Sequence, residues 1–280
     1  MTVKLAIFGA NGRMGQALLQ MHNKIPDVVV SLGVVRADHE LVGQDASRII
    51  GGNQLDIELV GGLEGLESNI DLFDVIVDFS NPIIACEISN WCTQHHKLLV
   101  TGTTGFNDKQ QQLLYNNARK LPLVHSPNMS PAVNLSFNLL SQVAKILGDT
   151  ADVEIYEAHH KHKVDAPSGT AIRMGESIAN AWGDTLNNRA VFTREGQVGP
   201  RKDGSIGFSV VRAGDIIGDH TVIFATDGER LEISHKSTSR AHYARGSFLA
   251  AQWLVEQNKN AVKGYFTMAD VLSLDSAKNE

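Results

Sequence analysis

The sequence is poor in several features, and each shortage narrows what the chain can be. It holds two cysteines in 280 residues. Cys86 and Cys92 stand six apart on a stretch expected to be helical. That spacing is no C-x-x-C motif and no disulfide framework, so reduced thiols and a cytoplasmic setting are the expectation. Long apolar runs are missing as well. None approaches the ~20 residues needed to cross a bilayer. The opening MTVKLAIFGANG lacks the apolar core and small-residue cleavage site of a secretory leader and runs directly into a strand-like pattern. Positive charge is in deficit: 25 Lys and Arg face 31 Asp and Glu, a formal net charge of −6. A general nucleic-acid binder needs a broad basic footprint, and this chain has none. An anionic ligand would have to meet a local concentration of cations. No internal repeat, low-complexity tract or Pro/Ser-rich linker is visible.

What is present is a soluble globular composition, 42% hydrophobic and 20% charged. The length suits one large domain or two ordinary ones. In the first part, short apolar runs alternate with helical patterns. VKLAIF, VVVSLGVV, VIVDFS, LLVTGTTG and LPLVHSPN read as strands. Helices are expected over GRMGQALLQMHNK (Met14, Ala17, Leu18 and Met21 on one face), near Pro82–His95 and over Asp108–Lys120. Continuous apolar strands separated by helices indicate a parallel sheet covered on both faces, an α/β domain.

The character changes near residue 130. Pro131–Leu147 reads as a long helix, DVEIYEAHH as a strand and Ser168–Trp182 as a helix. IGFSVVRAG, HTVIFATDG and ERLEISHKS then follow as strands, with Asp227-Gly228 as a hairpin signal. This predicts an α+β unit with a mixed, largely antiparallel sheet over 131–239, after a first domain over 1–130. The helix near Arg240–Glu256 and the tail over 240–280 are expected to return to the first domain.

GANGRMG follows the first strand and opens the first helix. Glycines there permit a tight turn and close backbone approach, and the helix N-terminus offers N–H groups to a phosphate. The spacing is G-x-x-G-x-x-G, and the strand–turn–helix context points to a dinucleotide. After the second strand the sequence reads GVVRADHE. Arg36 is nearest the strand end and Asp38 lies two further on. An arginine there suits a 2′-phosphate and an acid suits the free ribose, so NADPH is favoured with NADH left open. An exposed loop arginine is the alternative. DFSNP and TGTTGF lie at the carboxyl ends of later strands, where ligands of open α/β sheets bind.

The densest cationic stretch is HHKHK, His159–Lys163, inside EAHHKHKVDAPSGTA. Three readings compete. One is a solvated basic loop. A metal site is disfavoured by the interleaved ammonium groups, so no metal is expected. The third is an anion site with acid catalysis, since histidine donates protons near neutral pH and lysine adds fixed charge. Ser168, Gly169 and Thr170 start a helix whose N–H groups and hydroxyls can hold a carboxylate.

EAHHKHKVDAPSGTA resembles the signature ExHHxxKxDxPSGTA of the 4-hydroxy-tetrahydrodipicolinate reductase (dihydrodipicolinate reductase) family, with every fixed position present. GANGRMG, DFS, GTTGF and the Asn of SPNMS resemble that family's cofactor loops, in order along essentially the whole chain. The resemblance implies a Rossmann-type dinucleotide-binding domain, NADPH and/or NADH as cofactor, a small dicarboxylate substrate of the diaminopimelate–lysine pathway, and a homotetramer built through the substrate-domain sheets. It further implies His159 as general acid and Lys163 as second donor. His160, Lys163, Ser168, Gly169, Thr170 and Arg240 would contact substrate. Gly9, Ala10, Asn11, Gly12, Arg13, Met14, Arg36, Phe79, Gly102, Thr103, Thr104, Ser126, Pro127, Asn128 and Met129 would contact cofactor. The loop after the second strand is shorter than in many members, which leaves Arg36 as its one match. A semialdehyde dehydrogenase, which needs a nucleophilic cysteine, and a catalytically silent dinucleotide sensor are the competing readings.

Overall fold

The computed structural model describes residues 2–274 and resolves into two compact units. One runs to Pro131 and resumes at Arg240; the other is Ala132–Ser239.

The first unit is built on seven parallel strands: β1 (Val3–Phe8), β2 (Val28–Val35), β3 (Glu58–Gly61), β4 (Val75–Asp78), β5 (Leu98–Thr101), β6 (Leu123–His125) and a last strand, Tyr265–Phe266. From one edge the order is Tyr265–Phe266, β6, β5, β4, β1, β2, β3. Strand β4 is wholly buried, and so is β5, because helices cover both faces. Successive residues of β1 separate the two cores. Leu5 and Ile7 join Leu18, Ala244, Phe248 and Leu254 on one side. Ala6 joins Ile88, Trp91, Leu114 and Ala118 on the other. Helix Ala241–Lys259 therefore supplies part of the first unit's core, as its C-terminal return requires.

Three local differences from the sequence reading have simple causes. The first helix ends at Gln20, short of Lys24, because the chain turns through a left-handed Asn23. Helix Asp108–Ala118 stops two residues early. Strands Glu58–Gly61 and Tyr265–Phe266, of four and two residues, are too short for a periodic signal.

The second unit holds β7 (Asp152–His159), β8 (Ala190–Val191), β9 (Ile206–Arg212), β10 (Gly218–Thr226) and β11 (Glu229–Ser237), in the order β11-β10-β7-β9-β8. Strand β10 is antiparallel to β11 and to β7, whereas β9 runs parallel to β7 and β8. Asp227-Gly228 is the two-residue turn between Thr226 and Glu229, with Gly228 at φ 88°. Although β9 and β10 are consecutive in sequence, β7 lies between them. Helices Pro131–Leu147 and Gly169–Ala181 pack on one face through Leu140, Ala144, Met174 and Ile178, against Val153, Ile155, Val222 and Phe224.

Candidate active site

In the first unit the candidate residues gather at the carboxyl ends of parallel strands. After β1, Gly9 takes φ 75° and its N–H and that of Ala10 both donate to the Val34 carbonyl at 2.9 Å. The turn is so tight that a Cβ on Gly15 would stand 2.2 Å from the Gly9 oxygen. Gly12 caps helix Arg13–Gln20 without any side-chain hydrogen bond, so the first N–H groups face outward unclaimed by a capping side chain. Asn11, Gly12 and Arg13 are exposed. This backbone cradle fits a dinucleotide phosphate. Arg36 extends beyond β2 with its side chain 80% exposed and a 3.6 Å ion pair to the equally exposed Asp38.

The loops after β4 and β5 are tied to one buried carboxylate. Asp78 accepts from the Thr101 hydroxyl at 2.7 Å, the Thr103 hydroxyl at 2.9 Å and the Ser80 N–H at 2.9 Å. The Phe79 ring lies where a Gly102 side chain would be: a Cβ there would sit 2.1 Å from it. Thr103 is buried, its carbonyl 2.9 Å from His125 Nε2, so it shapes the loop from inside, while Thr104 is exposed. His125 Nδ1 meets the Tyr265 hydroxyl. Burial lowers His125 below the usual histidine range against the smaller opposing pulls of the Thr103 carbonyl and Asp78. After β6, Ser126 N–H donates to Thr101 O at 3.1 Å and its hydroxyl to Asn128 O at 2.8 Å. Pro127 is exposed in that turn. Met129 is buried, and only a glycine at 246 lets helix Ala241–Lys259 pass its carbonyl.

The second unit's site begins at the end of β7. Alternation along the strand puts Glu157 and His159 on one face. Glu157 is fully buried. Its carboxylate accepts from His159 Nδ1 at 2.7 Å, from Arg212 at 2.7 and 2.8 Å, and from the Ser168 N–H at 2.9 Å. Burial alone would raise Glu157, but these donors outweigh it and hold it below the ordinary carboxylate range. Burial lowers His159, only partly opposed by the hydrogen bond and charge of Glu157; Lys163 and Arg212 add to the lowering. Beside it His220, ring centroids 5.1 Å apart, is pushed down to about 3 by burial above all, with His159 and Lys163 adding to the lowering and Glu157 opposing it. His220 Nε2 lies 3.0 Å from the Ser168 hydroxyl, which also caps the next helix by accepting from Ala171 N–H at 3.2 Å.

Gly169 and Thr170 thus sit at the N-terminus of a capped thirteen-residue helix, and the space beside Gly169 is open. Lys163 Nζ is clasped by Asp165 at 2.7 and 2.8 Å. His160 is half-buried with its Nδ1 lacking a partner among the described residues. His159, His160, Lys163, Ser168, Gly169 and Thr170 all belong to this unit; Arg240 belongs to the other, where it precedes helix Ala241–Lys259. In the sequence Glu157 is a fixed position of the signature without an assigned role, and Arg212 and His220 lie outside the site motifs. Glu157 carried a signal, as a carboxylate two residues before His159 on a strand. Arg212 and His220 carried none, because their approach depends on strand pairing.

Comparisons with known proteins cover both units. The family described as "Dihydrodipicolinate reductase, N-terminus" matches residues 3–129, and "Dihydrodipicolinate reductase, C-terminus" matches residues 132–272. Among solved structures, a dipicolinate-bound dihydrodipicolinate reductase from Paenisporosarcina sp. TG-14 is 24% identical, with a TM-score of 0.72 over 96% of this chain and 99% of that one. An amine dehydrogenase from Mycobacterium smegmatis is 12% identical, with a TM-score of 0.59 over 96% of each chain. A scyllo-inositol dehydrogenase from Lactobacillus casei with bound NAD(H) and scyllo-inositol is 13% identical, with a TM-score of 0.55 over 99% and 94%. Likeness at these identities speaks for the fold, while the family matches, one for each unit and together spanning nearly all of the sequence, identify the chain as a member of the dihydrodipicolinate reductase family.

Proposed function

We propose that the first unit holds NADPH or NADH by the Gly9–Met14 turn and the Gly102–Thr104 and Ser126–Met129 loops. On this reading the second unit binds 4-hydroxy-tetrahydrodipicolinate, with His159 as the proton donor. The reaction is the NAD(P)H-dependent reduction of that compound to tetrahydrodipicolinate with loss of water, a step of diaminopimelate and lysine biosynthesis. The nicotinamide, when bound, supplies the hydride. Hydride delivery to the conjugated imine leaves an enamine-like carbanion at the neighbouring ring carbon, and a positioned acid must protonate it. The observation that carries the assignment is the buried His159 imidazole, held at Nδ1 by Glu157 on the strand before the Ser168–Thr170 helix start.

His159 must be protonated to act, and burial disfavours that. A dicarboxylate brings negative charge, which raises a histidine, so substrate binding promotes the acidic form of its own catalyst. The Gly169 and Thr170 N–H groups and His160 receive one carboxylate. Lys163 exchanges Asp165 for substrate. Arg240, cationic at the head of its helix, is assigned to the second carboxylate. Arg36, exposed and loosely paired, reads the 2′-phosphate of NADPH.

A semialdehyde dehydrogenase chemistry does not fit. Burial pushes the Cys92 thiol up, and burial with Glu87 pushes Cys86 up, so neither is an activated thiolate. No helix among the described residues is long and apolar enough to cross a membrane. A cytoplasmic homotetramer is part of the proposal, with the second unit's sheet, where Tyr156 is exposed, as its contact surface. Light scattering of the purified protein at four times 30.4 kDa checks the assembly.

The deciding assay supplies freshly made synthase product and follows nicotinamide oxidation with NADPH and NADH in parallel. Substrate-dependent oxidation that collapses in His159→Ala supports the assignment. Turnover unchanged in His159→Ala removes the acid role. No oxidation with either cofactor, in protein that still binds them, removes the reaction itself.

A further inference from the structure

All four acceptor positions of the buried Glu157 carboxylate are used: two by Arg212, one by His159 Nδ1 and one by the Ser168 N–H. An ionised carboxylate accepts and cannot donate, so His159 must carry its proton on Nδ1. That leaves Nε2 as the atom that exchanges protons with a ligand. Nε2 faces Gly218 across the strand, where a Cβ would come within 3.0 Å of it, so the absence of a side chain keeps that edge of the ring clear. We propose that Glu157 is a positioning residue that locks His159 in the Nδ1–H tautomer with Nε2 as the working atom, and that Arg212 in turn locks Glu157. The inference rests on His159 being the acid.

Arg212 grips both carboxylate oxygens, a fork-to-fork pairing that leaves no rotation, and is itself fixed by donating to the Asp165 carbonyl at 2.6 Å. The same carboxylate ties down Ser168, whose hydroxyl caps the helix that starts at Gly169. One side chain therefore orients the acid and the anion-binding turn together. Loss of the Glu157 charge would leave the half-buried Arg212 guanidinium beside the ring without its counter-charge, and the protonated acid would be disfavoured further.

The groups that face His159 are Glu157 on its own strand, Arg212 on β9, His220 on β10 and Lys163 in the following loop. Glu157 favours the imidazolium; Lys163 and Arg212 oppose it. Opposite substitutions should thus move the acid in opposite directions. In Glu157→Gln, kcat should fall on the order of 10²-fold. The descending alkaline limb of the kcat/KM profile should shift to lower pH, with NADPH affinity unchanged. In Arg212→Met the limb should shift to higher pH.

A Glu157→Gln enzyme with wild-type kcat and an unmoved limb, while His159→Ala still collapses turnover, overturns the inference and leaves the acid assignment standing. A uniform loss of rate with an unmoved limb also overturns it, because that is the signature of general structural damage. Loss of nothing in His159→Ala would instead sink the assignment beneath it. Should the variants fail to fold, nitrogen NMR of the wild-type His159 ring, identified by its disappearance in His159→Asn, decides the same point. An Nδ1–H signal is expected, and a neutral ring protonated on Nε2 overturns the lock.

Discussion

The two units build their candidate sites by opposite means. The first works with backbone: its candidate site is a set of turns where glycine is sterically required, with Gly15 against the Gly9 oxygen and Gly102 against the Phe79 ring. The second works with side chains: Glu157, Arg212, His159, His220 and Lys163 form a cluster of titratable and charged groups at the end of a sheet. A dinucleotide has the same phosphates in every turnover, so fixed N–H groups suffice for it. Proton transfer needs groups that change charge, and backbone has none to offer. The contrast also separates two kinds of vulnerability, steric in the first unit and electrostatic in the second.

The largest effect should come from removing the acid. His159→Ala is expected to lower kcat about 10²- to 10⁴-fold with little change in KM, because the proton moves only in the transition state. Steady-state kinetics on the synthase product would show it. Lys163→Ala should damage kcat and KM together, as the proposed double role in binding and proton donation requires; a pure KM effect would reduce it to a binding group. In the first unit the matching experiment is Gly15→Ala. Its Cβ would collide with backbone, so the turn must shift at a cost of about 1–3 kcal/mol. Weaker NADPH binding with unaltered binding of a dicarboxylate analogue is the expected pattern, and weakening of both would blur the division of labour drawn above.

Acid should unbalance the second unit through His220. Its folded-state value, about 3, lies below the roughly 6.5 of an unfolded histidine. The unfolded chain therefore binds more protons between those values, and the neutral histidine's contribution to stability, complete above about pH 6.5, is lost as pH falls, by up to about 1.4 kcal/mol per pH unit. Thermal unfolding at pH 7 and pH 5 should show a smaller drop in His220→Gln than in the parent. The smallest effect belongs to Arg36→Ala, which should weaken NADPH several-fold and NADH hardly at all. Equal weakening would return Arg36 to the status of a loop residue.

Much of the fold was legible because it is written in local periodicity. Val3–Phe8, Val28–Val35, Pro82–His95 and Pro131–Leu147 end where their apolar patterns end. The glycine turn and the HHKHK stretch were legible for a related reason: unusual residues are concentrated within a few positions. Asp78 was harder. It closes the strand pattern VIVDFS and opens the turn DFSNP, yet its role as the hub of Thr101, Thr103 and Ser80 appears only when β4 and β5 pair. Gly246 offered no signal at all inside a helix pattern, although Met129 depends on it.

By itself the sequence determined the alternation of strands and helices, the change of architecture near residue 130, the family and the presence of a histidine–lysine cluster ahead of a helix start. These follow from burial patterns and motifs that span fewer than about twenty residues. Only the tertiary structure decided that β7 lies between β9 and β10. That placement brings Arg212, 55 residues away, onto Glu157, and His220, 52 residues away, onto Ser168. Strand order is set by packing among distant segments, and Glu157 meets Arg212 only once that packing has brought their strands side by side.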